Sequence, residues 1–171
     1  ALHGDVMSLP FHDGAFDSVV AFGLYHNFED GWQTAVDETA RCLKSGGKFA
    51  VSIRPDNFEM RFNEHYWNYR QRKEIPKDGK KHFHKSMFGE NEFKHILEKT
   101  GLSVHHVHRA KNVSMFWRLP FLREKEYSQD ESQRRSGGYR LNSAGRFIDG
   151  VVTTLFPSSF CNVLVYVGEK S

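Results

Sequence analysis

Cysteine is scarce in this sequence, and long apolar runs are missing. Only Cys42 and Cys161 occur among 171 residues. This predicts free thiols in a reducing compartment, and so a cytoplasmic protein, with a single bridge between them as the alternative. No apolar run approaches the roughly 18 residues that a membrane span needs, so we expect no membrane segment. Hydrophobic residues make up 39% of the chain, which excludes a disordered chain and predicts a folded core.

Outside one segment of the chain, an excess of positive or negative charge is also lacking. The formal net charge of the chain is only +3. Residues 54–85 hold nine Lys and Arg against five Asp and Glu, so the rest of the chain is close to neutral. The same segment is rich in aromatic residues. It is interpreted either as a surface that faces an anionic substrate such as RNA or as a solvated loop.

The first third of the chain has the pattern of a strand–helix–strand unit. The short, β-branched run Phe16–Phe22 is typical of a strand that is buried on both faces of a parallel sheet. Apolar residues then recur at helical spacing from Asp30 to Leu43, and Lys44–Gly47 is expected to end that helix. The run Lys48–Ile53 predicts the next strand. A right-handed parallel crossover should join the two strands.

The rest of the chain continues to alternate, but less regularly. Helices are predicted at Glu59–Lys73, Gly89–Thr100 and Ala144–Phe156, and strands at Leu102–His108 and Phe160–Val167. This order predicts an α/β sheet covered by helices. Two stretches, at about 54–85 and 119–146, interrupt the alternation and are interpreted as insertions, the second as a lid or loop.

Histidine clusters raise the question of a metal site. The clusters are His82 with His84, and His105, His106 and His108. Alternate residues of a strand share a face, so His106 and His108 are expected to lie side by side. No cysteine or carboxylate stands at a spacing typical of zinc ligands, and we therefore predict no metal site.

Four motifs follow one another in a characteristic order. Gly4-Asp5 precedes Leu9-Pro10-Phe11, and Asp13-Gly14-Ala15-Phe16-Asp17 leads into the first strand. The strand is followed by Leu24-Tyr25-His26-Asn27-Phe28, and the next helix ends in Arg41-Cys42-Leu43-Lys44-Ser45-Gly46-Gly47. Together these motifs resemble the class I S-adenosylmethionine-dependent methyltransferases of the type 11-like group. The ubiquinone/menaquinone-type and tRNA wobble-uridine methyltransferases carry similar stretches.

The resemblance implies a fold and a boundary. The chain would be the C-terminal portion of a Rossmann-like sheet, with strands 4, 5, 6 and 7 and their flanking helices. Residues 1–171 would then form a single partial domain with the two insertions. The G-x-G-x-G turn and the acidic residue that holds the ribose are absent, so we expect the N-terminal glycine-rich half to be missing and the chain to be a fragment, inactive by itself.

The resemblance also assigns the cofactor-binding residues. Asp5 would accept a hydrogen bond from the adenine amine, because a carboxylate is an acceptor only, and the N–H of Val6 would meet a ring nitrogen. The backbone of Ala21, Phe22 and Gly23 would meet the methionine end. The cofactor would be S-adenosylmethionine, with S-adenosylhomocysteine as the product. Alternatively, Asp5 is a turn residue and Phe22 a core residue.

Tyr25 and His26 would lie on the substrate side of the same site. An aromatic face beside a sulfonium is favourable through cation–π attraction. Methyl transfer needs alignment more than acid–base chemistry, so no catalytic residue is assigned, and His26 is the candidate if a base is required. His26 could otherwise cap or pack beneath the helix.

Three functions are compatible with these features. The first is methyl transfer, in the complete protein, to a small-molecule or tRNA acceptor. The second is a non-catalytic remnant or partner subunit, which the missing half favours. The third is a tRNA-binding or tRNA-modifying module that uses residues 54–85. A strand edge left without its neighbour would favour a complementing chain or a dimer.

Overall fold

The computed structural model describes residues 4–71, 85–124 and 139–171, and within them it has four strands and four α-helices. The strands are β1 (Phe16–Ala21), β2 (Leu43–Ile53), β3 (Leu102–Ala110) and β4 (Val163–Lys170). The helices are α1 (Trp32–Cys42), α2 (Phe58–Gln71), α3 (Glu90–Lys99) and α4 (Ser143–Leu155). Short 3-10 helices occupy Tyr25–Asn27, Met115–Arg118 and Pro120–Leu122. The predicted α/β order is confirmed.

The four strands form one mixed sheet in the order β1-β2-β4-β3. Strands β1 and β2 are parallel, as the strand–helix–strand pattern predicted. Strand β4 runs antiparallel to β2, with Lys48 opposite Glu169 and Ile53 opposite Leu164. Because β1 and β2 are parallel and adjacent, their carboxyl ends lie at the same edge of the sheet, where ligands bind in open α/β folds.

The junction between α1 and β2 differs from the prediction. We expected Lys44–Gly47 to form a turn before a strand that begins at Lys48. Instead, β2 begins at Leu43, immediately after the helix, and Phe16 pairs with Leu43 before Ser18 pairs with Lys48. The intervening residues form an irregular bulge in which Gly46 has a φ of 73°. Glycine permits this left-handed conformation without closing the strand into a loop.

Strand β1 is more exposed than its apolar sequence predicted. The Val20 residue keeps 67% of its surface exposed, whereas only Ala21 of this strand is buried. Within the described residues, β1 pairs with β2 alone, so its other edge has no neighbour. The prediction of a strand buried on both faces was therefore wrong for the described residues, because burial on both faces needs helices or other elements packed over each face.

The residues group into two compact units, of which the first consists of 1–56, 80–108 and 163–171. In its core, Phe93 of α3 packs at ring-centroid distances of 5.2 Å from Phe88, 5.3 Å from Tyr166 and 6.0 Å from Tyr25. Helix α1 buries Ala35, Val36, Thr39, Ala40 and Cys42 on one face. This is the face that its helical spacing predicted.

The second unit consists of residues 57–79 and 109–162. Its described part contains α2, α4 and the two later 3-10 helices, which enclose an apolar cluster of Trp117, Leu122 and Leu141. The predicted insertions at about 54–85 and 119–146 fall largely in this unit, with 72–84 and 125–138 outside the described residues. The division into one domain with insertions stays a prediction.

The last strand begins three residues later than predicted. We expected it to start at Phe160, but β4 starts at Val163. The side-chain oxygen of Asn162 accepts hydrogen bonds from the backbone N–H groups of Asn112 (2.8 Å) and Val113 (3.0 Å). These bonds hold Asn162 in a loop, which the apolar pattern of the sequence could not show.

Other sequence predictions can be placed in the described part of the chain. Cys42 and Cys161 are free, buried thiols. The His106 and His108 rings lie side by side, with centroids 6.1 Å apart, while His82 and His84 fall outside the described residues. Among the residues described, no group of three or more metal-ligating side chains converges. No helix among them has the length and apolar character needed to cross a membrane.

A buried ion triad stabilises the second unit. The Lys111 ammonium lies 3.1 Å from Glu59 Oε2 and 2.6 Å from Asp149 Oδ1. Glu59 is fully buried, and its other oxygen accepts a hydrogen bond of 2.7 Å from the Met115 N–H. One buried and one partly buried carboxylate thus depend on one cation for their compensating charge.

We predict that Lys111→Met will destabilise the protein by about 3 kcal/mol, because the substitution leaves two carboxylates without a cation in a poorly hydrated site. The free energy of unfolding in urea measures the loss. The matched control is Lys44→Met, which removes an exposed pair with Asp17 (2.7 Å) and should cost less than about 1 kcal/mol. Equal effects of the two substitutions would contradict the importance of the triad.

Candidate functional site at the carboxyl ends of β1 and β2

A turn with a left-handed glycine follows β1. Gly23 has a φ of 68°, a left-handed conformation that glycine adopts without steric cost. Its N–H donates a 2.9 Å hydrogen bond to the Ser52 hydroxyl on β2, and its carbonyl accepts a hydrogen bond from the Asn27 side-chain amide. The turn is therefore held on both sides, and it presents the backbone of residues 21–23 at the carboxyl edge of the sheet.

Phe22 lies beside this turn with 62% of its surface exposed. The preceding residue, Ala21, is buried. The exposed aromatic ring therefore does not fill the core of the described structure. The interpretation of Phe22 as a core residue is not compatible with this exposure, and an aromatic surface remains open to a ligand at the end of β1.

His26 is half-buried, and its ring carries an unpaired polar atom. The Nδ1 atom is buried and has no hydrogen-bond partner among the described residues, while the backbone carbonyl of His26 accepts a hydrogen bond from the N–H of Ser86 (2.9 Å). Burial lowers the pKa of His26 to about 4, with the cations of Lys85 and Arg54 adding to the shift. The imidazole is neutral at pH 7. A buried nitrogen without a partner is costly to maintain, and a hydrogen bond from a bound water or from a ligand would remove that cost.

Tyr25 takes a different position from the one that the sequence predicted. Its side chain is fully buried, and its hydroxyl lies 2.9 Å from the Thr39 hydroxyl of α1. Burial raises the pKa of Tyr25. The ring therefore packs in the core beneath the site, and only the backbone of Tyr25 is available at the sheet edge.

Asp5 and Val6 lie in a tight turn before β1. The Asp5 carboxylate accepts a 2.9 Å hydrogen bond from the Met7 N–H through Oδ1, and the Asp5 carbonyl accepts one from the Ser8 N–H (3.1 Å). Asp5 is exposed, and Oδ2 has no partner among the described residues. Asp5 is thus a turn residue that also keeps one acceptor atom open.

The Asp5 turn is placed near the His26 loop by contact with Gly31, the residue before α1. A Cβ atom built on Gly31 would lie 2.7 Å from the side chain of Met7, and the φ of Gly31 is 77°. The positive φ favours glycine at this position, whereas the Met7 thioether is the far end of a flexible side chain and can move aside. Because Met7 packs directly on this glycine, the turn that carries Asp5 adjoins the segment that carries His26.

Arg41 anchors the loop that carries Asp5. Its guanidinium donates hydrogen bonds to the carbonyls of Leu9 (3.1 Å) and Phe11 (2.7 Å) and to the Asp13 carboxylate (2.7 Å). It also binds Glu38, which in turn accepts a 2.7 Å hydrogen bond from the Leu9 N–H. The hydrogen bonds from Arg41 and Leu9 lower the pKa of Glu38 to about 2. This network fixes the loop to α1.

The geometry can now be compared with known proteins. A family model described as a methyltransferase domain matches residues 1–51. A demethylmenaquinone methyltransferase from Thermus thermophilus is 42% identical over 72 residues, which are 42% of this chain and 32% of the relative. Residues 1–51 of this chain are therefore similar to the methyltransferase domain family. The chain spans about a third of the length of that relative.

Solved methyltransferases share the fold. A putative methyltransferase from Haloferax volcanii, in complex with the Trm112 activator, has a TM-score of 0.56 at 18% identity, covering 99% of this chain and 60% of its own. A SAM-dependent methyltransferase from Methanosarcina mazei has a TM-score of 0.56 at 16% identity, covering 98% and 65%. A geranyl diphosphate C-methyltransferase from Streptomyces coelicolor, bound to S-adenosylhomocysteine, has a TM-score of 0.54 at 11% identity, covering 98% and 52%. The fold of this chain is therefore similar to that of these solved methyltransferases.

The residues at this edge of the sheet leave several groups exposed or without a partner among the described residues, and of the solved neighbours one is named as SAM-dependent and another was solved with S-adenosylhomocysteine. The open oxygen of Asp5 is an acceptor suited to an amine, and Gly23 lets a ligand approach the backbone closely. Phe22 offers an exposed aromatic face, and His26 an unpaired buried nitrogen. Asp5 and Phe22 are exposed to solvent, whereas the His26 nitrogen is buried.

Sequence reasoning missed the residues that support this site. Ser52 and Asn27 hold the Gly23 turn, and Arg41 with Glu38 holds the Asp5 loop. The spacing of Glu38 and Arg41, three residues apart on a predicted helix, was the available signal for a pair. Nothing in the local sequence indicated that Arg41 binds the carbonyls of a loop thirty residues earlier.

We predict that the Glu38 network makes stability fall at low pH. The folded pKa of Glu38 is about 2, against an ordinary value of 4.5. The stabilisation is therefore complete above about pH 4.5 and is lost as the pH falls toward 2. Melting temperatures between pH 7 and pH 2.5 should show a smaller drop in Glu38→Gln than in the wild type, and a lower starting value at pH 7. Glu29→Gln, at an exposed position, is the control and should follow the wild type.

Proposed function

We propose that the complete protein transfers a methyl group from S-adenosylmethionine to a still unidentified acceptor, and that this chain supplies the adenine side and the methyl side of the site. The observation that carries the proposal is the half-buried His26, whose Nδ1 has no partner, beside the Gly23 turn. The two lie at the carboxyl end of β1, where ligands bind in this class of sheet.

Cofactor binding is assigned to residues of two loops. Asp5 would accept the adenine amine through its open Oδ2, with the N–H of Val6 beside it. The backbone of Ala21, Phe22 and Gly23 would adjoin the methionine portion, and the exposed Phe22 ring would cover an apolar part of the ligand. S-adenosylmethionine supplies an electrophilic methyl group on a sulfonium and leaves as S-adenosylhomocysteine.

His26 is assigned to the acceptor side. Its imidazole is neutral at pH 7, so it does not repel a sulfonium, and it can accept or donate one hydrogen bond. With a pKa of about 4, the imidazole is a weak base. Orientation of an acceptor heteroatom is therefore its proposed role, together with removal of a proton only where the acceptor loses one readily. Tyr25 would support this position from beneath, through its hydrogen bond to Thr39.

The proposed methyl acceptor is a planar small molecule. The relative from Thermus thermophilus is named for demethylmenaquinone, which supports a planar small molecule over tRNA. The matches do not favour the alternatives of a non-catalytic remnant or a tRNA-binding module. The aromatic segment 54–85 would contribute to acceptor recognition, although residues 72–84 lie outside the described part. A cytoplasmic location stays a prediction.

A partner at the free edge of β1 is also proposed. Among the described residues, this edge carries exposed Val20 and no neighbouring strand. An apolar strand with an open edge pairs readily with another strand. The missing strands would come from further residues of the same protein or from a second chain. The Haloferax volcanii methyltransferase was solved with an activator chain, which supports the second possibility.

We predict that Asp5→Asn in the complete natural protein will weaken the binding of S-adenosylhomocysteine by about tenfold. The amide can retain the turn bond to Met7, but it places a donor where the carboxylate offers an acceptor. Isothermal titration measures the dissociation constant. Asp30→Asn, at an exposed position before α1, is the control and should bind as the wild type does. An unchanged constant in Asp5→Asn would contradict the adenine assignment.

We predict that His26→Asn will lower kcat by roughly 10- to 100-fold while leaving the affinity for S-adenosylhomocysteine within about threefold. The wild-type kcat/KM should show no inflection near pH 6.5, because His26 stays neutral down to about pH 4. Methyl transfer to an acceptor identified by screening small molecules and tRNA provides the assay. His95→Asn, on the exposed face of α3, is the control. A wild-type kcat in His26→Asn would remove His26 from the acceptor side.

A further inference from the structure

The second unit contains a cavity of about 440 Å³ that the proposed methyl transfer does not use. Its lining combines polar side chains with apolar surface and comes mainly from the segment after β3 and from α4. Such a volume is within the range of small-molecule sites. The polar lining residues are Lys111, Asn112, Ser114, Tyr139, Arg146, Asp149, Thr153 and Thr154.

Asp149 is the anionic group that this cavity offers to a ligand. Its Oδ1 is occupied by Lys111 and by the Ser114 hydroxyl, both at 2.6 Å, whereas Oδ2 has no partner among the described residues. The side chain keeps 23% of its surface exposed. Lys111 itself is not available, because its ammonium already contacts Asp149, Thr153 (3.2 Å) and Glu59 (3.1 Å).

Arg146 is the matching cation. It lies three residues before Asp149 on α4, so the two side chains are neighbours on the helix surface. Yet they do not pair: within the part of the chain that the structure describes, the Arg146 guanidinium has only a 3.4 Å contact with the Ser143 hydroxyl. One turn of helix thus presents an uncompensated guanidinium and an open carboxylate oxygen to the same cavity.

A second, apolar cavity of about 440 Å³ adjoins the first. It shares Arg146, Gly150 and Thr154 with the polar cavity, and its other walls are Phe147, Val151 and Leu155. Gly150 lies in the middle of the shared wall. A Cβ atom built on this residue would have no atom within 4 Å, so the space between the two cavities is open there.

We propose that α4 binds a small zwitterion with an apolar side chain, namely an apolar α-amino acid. Its ammonium group donates to Asp149 Oδ2, its carboxylate accepts from the Arg146 guanidinium, and its side chain crosses Gly150 to lie against Phe147 and Val151. This proposal does not rest on the proposed methyl transfer, and its ligand is not inferred from the methyltransferase family.

The charges favour a zwitterion over a simple ion. A purely anionic ligand would meet Arg146 but would be repelled by Asp149. A purely cationic ligand would satisfy Asp149 and leave Arg146 uncompensated. Only a molecule with both charges close together satisfies the guanidinium and the carboxylate at once.

Binding of L-phenylalanine to the 171-residue chain tests the proposal, with isothermal titration for affinity and heteronuclear NMR for location. We expect a dissociation constant of roughly 0.1–1 mM, as befits a ligand of this size. L-Alanine lacks the apolar side chain, phenethylamine lacks the carboxylate, and 3-phenylpropionate lacks the amine. Each of the three should bind at least about tenfold more weakly.

Two variants locate the site without touching the ion triad. Gly150→Leu places a side chain in the open space between the cavities and should abolish binding, while leaving thermal stability equal or higher. Arg146→Gln should weaken binding by about tenfold. Ala144→Leu, at an exposed position of α4 outside both cavities, is the matched control and should bind as the wild type does.

Several results would overturn the proposal. They are no phenylalanine binding at 10 mM (about tenfold above the expected constant), equal affinity for phenethylamine, or unchanged affinity in a folded Gly150→Leu protein. Chemical-shift changes confined to residues outside α4 would also overturn it. Failure of methyl transfer in the complete protein would leave this result unaffected, so the two proposals fail separately.

Discussion

The guanidinium of Arg41 is the contact on which the candidate site depends. A loop without regular structure has backbone groups that need partners. Arg41 donates to the carbonyls of Leu9 and Phe11 and to the Asp13 carboxylate, while Glu38 accepts from the Leu9 N–H. Arg41 lies on α1, the helix that connects the two parallel strands, and its hydrogen bonds therefore hold the loop against this helix. The open carboxylate oxygen of Asp5 is held in place by a side chain 36 residues away in the sequence.

His26 differs from the Arg41 loop, whose polar groups are hydrogen-bonded. In His26 a polar atom is buried and left without a partner, and the charged form of the ring is suppressed by burial and by nearby cations. A folded protein gains no stability from such a group. Its position beside the Gly23 turn, at the carboxyl edge of the sheet, accounts for the cost if a ligand supplies the missing partner. Rigid backbone and unsatisfied side chain thus lie next to each other.

The second unit uses charge differently. In the Glu59–Lys111–Asp149 triad one cation compensates two carboxylates, so the triad carries a net negative charge behind a cavity that Arg146 borders. The inner carboxylate serves the fold, because it is fully buried and bound to a backbone N–H. The outer one is only half satisfied. Of the two carboxylates that share Lys111, Glu59 therefore stabilises the fold, and Asp149 is the one proposed to bind a ligand.

The sequence by itself determined the order of strands and helices, the parallel crossover and the methyltransferase motifs, because these depend on local periodicity and on short spacings. It also indicated Asp5, Gly23 and His26, which lie within such motifs. Only the tertiary structure decided that Tyr25 is core, that Phe22 and Val20 are exposed, and that Gly46 belongs to a bulge in β2. The burial of a residue depends on which elements pack against it. Ser52, Arg41 and Lys111 contact residues far away in the sequence, and a local sequence pattern does not show which distant residues the fold brings together.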